Sequence, residues 1–142
     1  MNDILRAILP IICVALIGAL VALYFLRKST VAPIFRGFTD VLAADVKALN
    51  DPANIGRDAF SILEHRLTIH YRGFILAYNA ADWITKFRLG NAWAEYYGEG
   101  GEQEWYLPNE YSTLLSNQLK NTHENTKRLA VRRLNVLIKL CS

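Results

Sequence analysis

The side chains with catalytic or metal-binding potential are few in this sequence and poorly arranged for either task. There are three histidines, His65, His70 and His123. His65 and His70 are five residues apart, so on a helix they point in different directions. A zinc-binding pair on one helical face needs a spacing of four with a third ligand nearby. Cys13 and Cys141 lie far from both histidines and from each other. The spacing therefore predicts surface or partly buried histidines, no metal site and no disulfide framework.

Carboxylates are denser. Glu95, Glu99, Glu102 and Glu104 surround the glycines of "YGEGGEQ". Acid–base chemistry needs carboxyl groups whose environments shift their pKa values apart, whereas an acidic glycine-rich stretch predicts a solvated loop. Gly98, Gly100 and Gly101 do not form a phosphate cradle: the flanking strand and helix and the Lys-Ser/Thr pair are missing, and the interleaved glutamates repel phosphate. No nucleophile–base arrangement follows from spacing. The expectation is a non-enzyme without cofactor.

The elements that would position such groups begin with a membrane anchor. Between Arg6 and Arg27 lie 20 uncharged residues, Ala7 to Leu26. At about 1.5 Å per residue a helix of that length spans about 30 Å, the hydrocarbon thickness of a bilayer. The run exceeds the apolar region of a cleaved signal peptide, typically about 7–15 residues. It closes on Tyr24-Phe25-Leu26-Arg27-Lys28, an aromatic edge followed by cations, as a span does at the water interface. Pro10 lies near its start, where a missing amide donor costs least. The amino-terminal side offers Arg6, the terminal amine and an opposing Asp3, whereas Arg27, Lys28 and Arg36 precede the first acid after the span, Asp40, so the positive-inside bias favours the following domain in the cytoplasm.

Within the span Ala15, Gly18, Ala19 and Ala22 fall on one side. Lipid tails are as apolar as leucine, so helices associate in a bilayer through close backbone approach at small residues. This stripe is the expected helix-packing surface.

The remaining organisation is a connector, residues 29–34, and a mostly helical domain, residues 35–142, after an anchor comprising residues 1–28. Phe35, Phe38, Leu42 and Leu49 recur at helical spacing, with Asp40, Asp45 and Lys47 expected on other faces. Asp51-Pro52 ends that helix. Phe60, Leu63, Leu67, Tyr71, Phe74 and Tyr78 describe one amphipathic helix, although Arg72-Gly73 could instead turn a short hairpin across 67–78. Asp82 is a candidate N-cap for "DWITKFRL", which is expected to stop at Gly90-Asn91, with "NAWAEYY" adding two turns. "EQEWYL" is a short extended candidate. Residues 109–140 lack Gly and Pro and are expected to form one long helix.

Overall charge is +3 in 142 residues, 52% of them hydrophobic. The balance is unevenly distributed: Leu89 to Leu119 carries −5, and Lys120 to Ser142 carries +5. Such blocks pair within the fold or across subunits, or remain solvated faces. Aromatics concentrate at Trp93, Tyr96, Tyr97, Trp105, Tyr106 and Tyr111, half of them expected in the core.

On the last helix Ala130, Val131, Leu134, Leu137, Ile138 and Cys141 form an apolar arc. Arg128, Arg132 and Lys139 lie opposite, and Arg133 sits within the arc. A face so broadly apolar requires cover by its own domain, a partner helix or the lipid headgroup layer. Arg128, Val131, Arg132, Leu134, Ile138 and Lys139 are the expected partner or lipid contacts. Nucleic acid is not expected, because the net charge is low and the neighbouring block acidic.

These features predict a mainly α, single-span membrane protein. Its expected role is a non-catalytic structural or accessory subunit of a larger assembly, such as a secretion or conjugation machine, a respiratory or transport complex, or a membrane-containing virion. Its partners would be the bilayer and other membrane-protein subunits. The alternative is a membrane-tethered enzyme or ligand-binding domain using residues 93–111 as its cleft. A third reading is a lipid-responsive adaptor acting through the last helix.

Overall fold

The uncharged run has one way to satisfy its backbone without water, an unbroken helix. In a computed structural model, which describes residues 2–97, 107–113 and 122–142, it lies within α1, Asn2–Leu49. This helix is long and apolar enough to cross a membrane. From Ile8 to Leu26 every side chain is exposed. Pro33 lies inside α1, so the expected connector, residues 29–34, is helical. Pro33 nevertheless removes one amide donor from the ladder, and the chain divides there into two units, Met1–Pro33 and Ile34–Ser142.

The second unit is a small all-helical domain, with no strand among the described residues. It comprises the C-terminal part of α1, then α2 (Ala59–Leu63), α3 (Leu67–Ala80), α4 (Trp83–Tyr97) and α5 (His123–Cys141), with short 3-10 turns at Pro52–Asn54, Glu64–Arg66 and Asn109–Tyr111. α1 ends as expected, one turn before Pro52. The Asn50 amide side chain donates to the Val46 carbonyl at 2.8 Å, and Asn54 Nδ2 donates to Ala48 O at 2.8 Å. Gly56, at φ +87°, then makes the turn that brings the chain back.

Residues 67–78 are helix, not hairpin. Gly73 serves an approach rather than a turn: a Cβ there would lie 2.6 Å from Phe38 Cδ2. Asp82 caps α4, accepting the Thr85 N–H at 3.0 Å and the Thr85 hydroxyl at 2.8 Å. The expected stop at Gly90-Asn91 does not occur, and α4 continues to Tyr97. Glycine ends a helix by adopting positive φ, and among the described glycines only Gly56 does so.

The single helix expected over 109–140 is also corrected. Ser112 and Thr113 are non-helical, and α5 starts afresh at His123. Thr122 has extended backbone and accepts the Asn125 N–H at 3.2 Å, a new N-cap. "EQEWYL" lies outside the described residues apart from Leu107, which is buried.

α3 and α4 form an antiparallel hairpin joined at Ala81-Asp82. Phe74 stacks on Trp93 at 4.3 Å, His70 reaches Tyr96, and Lys86 sits over the Tyr78 ring. Trp93 is held between Phe74 and Tyr97, the latter at 5.0 Å and nearly parallel. The four described members of the aromatic cluster, Trp93, Tyr96, Tyr97 and Tyr111, are all core. Around them pack Phe38, Leu42 and Leu49 of α1 with Leu63, Leu89, Leu134 and Leu137.

Candidate functional site

The least expected group in the core is a chain of polar side chains from three helices. Leu42, Asp45 and Leu49 lie on one face of α1, and Asp45 is buried with 1% of its surface exposed. This corrects the expectation that Asp45 faces away from the core. His70 of α3 and Tyr96 of α4 are both at 0%. His70 is thus fully internal, while His65 and His123 are exposed.

The three side chains are joined in series. Burial, first, and then the charges of Tyr111 and Asp45 push the Tyr96 hydroxyl well above its usual pKa, so it remains a donor. Tyr96 Oη is hydrogen-bonded to His70 Nδ1 at 2.8 Å, and His70 Nε2–H donates to the Asp45 carboxylate at Oδ2. Arg66 Nε lies 2.5 Å from Asp45 Oδ1, an ion pair out of line with a hydrogen bond, and its side chain is 39% exposed. The carboxylate charge is thereby balanced at the edge of the core.

In an open cleft a Tyr–His–Asp chain would orient a general base. Here each member is buried, and the chain ties α1, α3 and α4 together. Buried polar groups tolerate few alternative packings, because each displaced partner is left unsatisfied.

A second polar knot closes the other side of the domain. Asp58 Oδ1 caps α2 through the Ser61 N–H at 2.9 Å, and Oδ2 accepts the Thr113 N–H at 3.0 Å. Burial pushes the Asp58 carboxyl up, but these two backbone donors, with the Ser61 and Ser112 hydroxyls, outweigh it and hold the pKa below the ordinary aspartate value. Lys127, a member of the basic block, is buried and donates to the Asn54 carbonyl at 2.7 Å. Arg133, inside the apolar arc, lies over the Tyr111 ring and pairs with Glu110 at 2.9 Å. One contact between the acidic and basic blocks is therefore internal.

The expected contact residues of α5 separate into two groups. Leu134 is fully buried in its own domain, as are Ala130 and Leu137, so Leu134 is withdrawn as a partner contact. Cys141 is buried beside them, and burial pushes its thiol up to about 11. Val131 and Ile138 are half-buried against the core, and Arg128, Arg132 and Lys139 are exposed. An open groove of about 510 Å³ runs along this side, lined by Asn50, Arg128, Val131, Arg132, Asn135, Val136 and Lys139. Its floor is apolar and its rim cationic. Arg128 already pairs with Glu124 at 3.1 Å. The groove lining offers no carboxylate, thiol or imidazole.

In the first unit, Ala15, Gly18, Ala19 and Ala22 are all exposed, and no atom lies within 4 Å of where a Gly18 Cβ would sit. Of the acidic segment, Glu95 and Glu110 are exposed, and Glu99, Glu102, Glu104, Trp105 and Tyr106 lie outside the described residues. No three His, Cys, Asp or Glu side chains gather as metal ligands among the described residues. Sequence reasoning missed the Asp45–His70–Tyr96 chain and the exposed start of α4, where Trp83, Ile84 and Phe87 face solvent. Helical spacing alone places Asp45 and His70 on the core faces of their helices. Comparison with protein families, curated proteins and solved structures finds no match.

Proposed function

We propose that this chain is a single-span membrane protein serving as a non-catalytic structural or accessory subunit of a larger membrane-associated assembly, with its helical domain in the cytoplasm. The observation that carries the reading is the run from Ile8 to Leu26, helical, uncharged and exposed along its whole length. Exposed apolar surface on that scale requires lipid or protein around it. The small-residue side at Ala15, Gly18, Ala19 and Ala22 favours a neighbouring span. The α5 groove supplies an extramembrane contact, with Arg128, Arg132 and Lys139 selecting an anionic partner surface.

Photo-cross-linkers at Gly18 and Arg132 in native membranes test the reading. The expected result is a defined set of adducts from each position, and co-migration with a larger complex in mild detergent. A monodisperse monomer giving no adduct from either position would overturn it. Cys141 is unsuitable as a cross-linking handle because it is buried.

A further inference from the structure

The α3–α4 hairpin displays large apolar side chains at its turn, where a soluble domain would place polar ones. Trp83 is 79% exposed, Phe87 69% and Ile84 52%. All three lie on one face of α4, at spacings of one and four residues. Leu76, on the α3 side of the turn, is 60% exposed. Cations accompany them: Arg88, next to Phe87, is exposed and, among the described residues, in no ion pair, and Lys86 stands over Tyr78. The one acid beside them, Asp82, is occupied as the α4 cap, and the Thr85 N–H and hydroxyl hold its pKa below the ordinary value.

We infer that this hairpin tip docks into the interfacial layer of an anionic bilayer, giving the domain a second membrane attachment. Tryptophan partitions to the headgroup level, Phe and Ile insert just beneath it, and neighbouring Arg and Lys side chains meet lipid phosphates. The inference rests on the membrane-anchored reading above, which keeps a bilayer within reach. It requires nothing of the α5 groove. The chemistry selects lipid over a protein partner: an exposed Trp, Ile and Phe at one helix start, with Lys86 and Arg88 between and beside them, is the pairing of interfacial aromatics with cations that anionic headgroups accept.

The test uses the full chain, with Cys13→Ala and a nitroxide at Phe87→Cys, reconstituted in phosphatidylcholine–phosphatidylglycerol vesicles. Equivalent labels at Leu16→Cys and Glu124→Cys report lipid and water. The expected result at position 87 is a several-fold rise in oxygen collisions relative to a nickel chelate, compared with position 124, and a smaller rise in pure phosphatidylcholine. Trp83→Cys, labelled separately, gives the same sign should Phe87→Cys misfold, with helicity checked by circular dichroism. If position 16 is lipid-exposed and position 87 is as wet as 124, the tip inference fails and the anchor stands. If position 16 is itself as wet as 124, the anchor reading fails and takes the inference with it. Spin–spin broadening at 87 that disappears on dilution with unlabelled protein would show a second copy covering the tip, and would also overturn it.

Discussion

Gly73 offers the sharpest test of the packing. A methyl group built on it would stand 2.6 Å from Phe38 Cδ2 and 3.3 Å from Cε2. Carbon pairs sit comfortably at about 3.5–4.0 Å, so the Phe38 ring must retreat by about 1 Å. Phe38 is only 2% exposed and belongs to the core, so the ring has no solvent to move into. Over-packing of this kind costs about 1–3 kcal/mol, against about 0.8–1 kcal/mol gained by replacing a mid-helix glycine with alanine. Gly73→Ala is therefore expected to destabilise the domain by up to about 2 kcal/mol. Gly37, exposed on α1 with no atom within 4 Å of its Cβ position, supplies the control. Gly37→Ala should stabilise by roughly the propensity gain of about 1 kcal/mol. Denaturant unfolding of the whole chain in mild-detergent micelles, followed by far-ultraviolet circular dichroism, reads both midpoints. Phe38→Leu removes the clashing ring, so Gly73→Ala should cost less in that background, the coupling expected of two residues in contact. Equal stabilisation by Gly73→Ala and Gly37→Ala, or additivity with Phe38→Leu, would refute the close approach of α3 to α1.

Three further outcomes follow from the polar knots and the divided face of α5. Asp45→Ala leaves the buried His70 Nε2–H without an acceptor and should cost at least about 1–3 kcal/mol, with Arg66 turning outward to water. An unchanged denaturation midpoint would remove the Asp45–His70–Tyr96 chain from the domain's framework. Asp58 has a folded pKa below its unfolded value, so its contribution is present above about pH 4 and is lost as pH falls through the lower folded value. Asp58→Asn should accordingly flatten the acid side of the stability–pH curve, and a wild-type slope in that variant would sink the assignment. Leu134→Ala should cost about 2–5 kcal/mol as a core deletion, whereas Val136→Ala, on the 43% exposed groove side, should stay within about 0.5 kcal/mol. Equal effects in thermal unfolding would mean the face of α5 is not divided as described.

The sequence made the helical class readable, and the reason lies in particular residues. Asp51-Pro52 ends α1 because proline restricts the residue before it, and Asp82 caps α4 because its carboxylate reaches the Thr85 N–H. Chemistry confined to neighbouring residues is visible in a linear string. Other features depended on distant partners. Gly73 resembles a turn residue until Phe38 is seen against it. Gly90 resembles a stop, yet it stays helical with Tyr78 Cε2 at 3.6 Å from its Cβ position. The lack of Gly and Pro over 109–140 suggests continuity, but Asp58 accepts the Thr113 N–H and Arg133 pairs with Glu110, so side chains distant in sequence hold this stretch as a 3-10 turn followed by non-helical Ser112 and Thr113 instead of an α-helix. Asp45 was the avoidable miss. Phe38, Leu42, Asp45 and Leu49 step by four, three and four, so the helical period itself places the carboxylate on the core face, and His70 between Leu67 and Phe74 repeats the pattern.

The division of α5 bears on how strongly the domain could hold a partner. With Ala130, Leu134, Leu137 and Cys141 turned inward, the outer strip is reduced to Val131, Val136 and a cationic rim, and the groove is lined by seven residues. Stable interfaces usually engage about 20–30 residues a side, so this surface alone supports only weak association. On the proposed reading the span compensates, since a partner already packed on the Ala15–Ala22 side meets the groove at high effective concentration. Two modest contacts on one chain then act together. Replacing Gly18 and Ala22 by leucine, or reversing charge at Arg132 and Lys139, should each lower co-purification of the assembly partially, and combining them should abolish it. Full retention by the combined variant would mean that neither surface is where the partner binds.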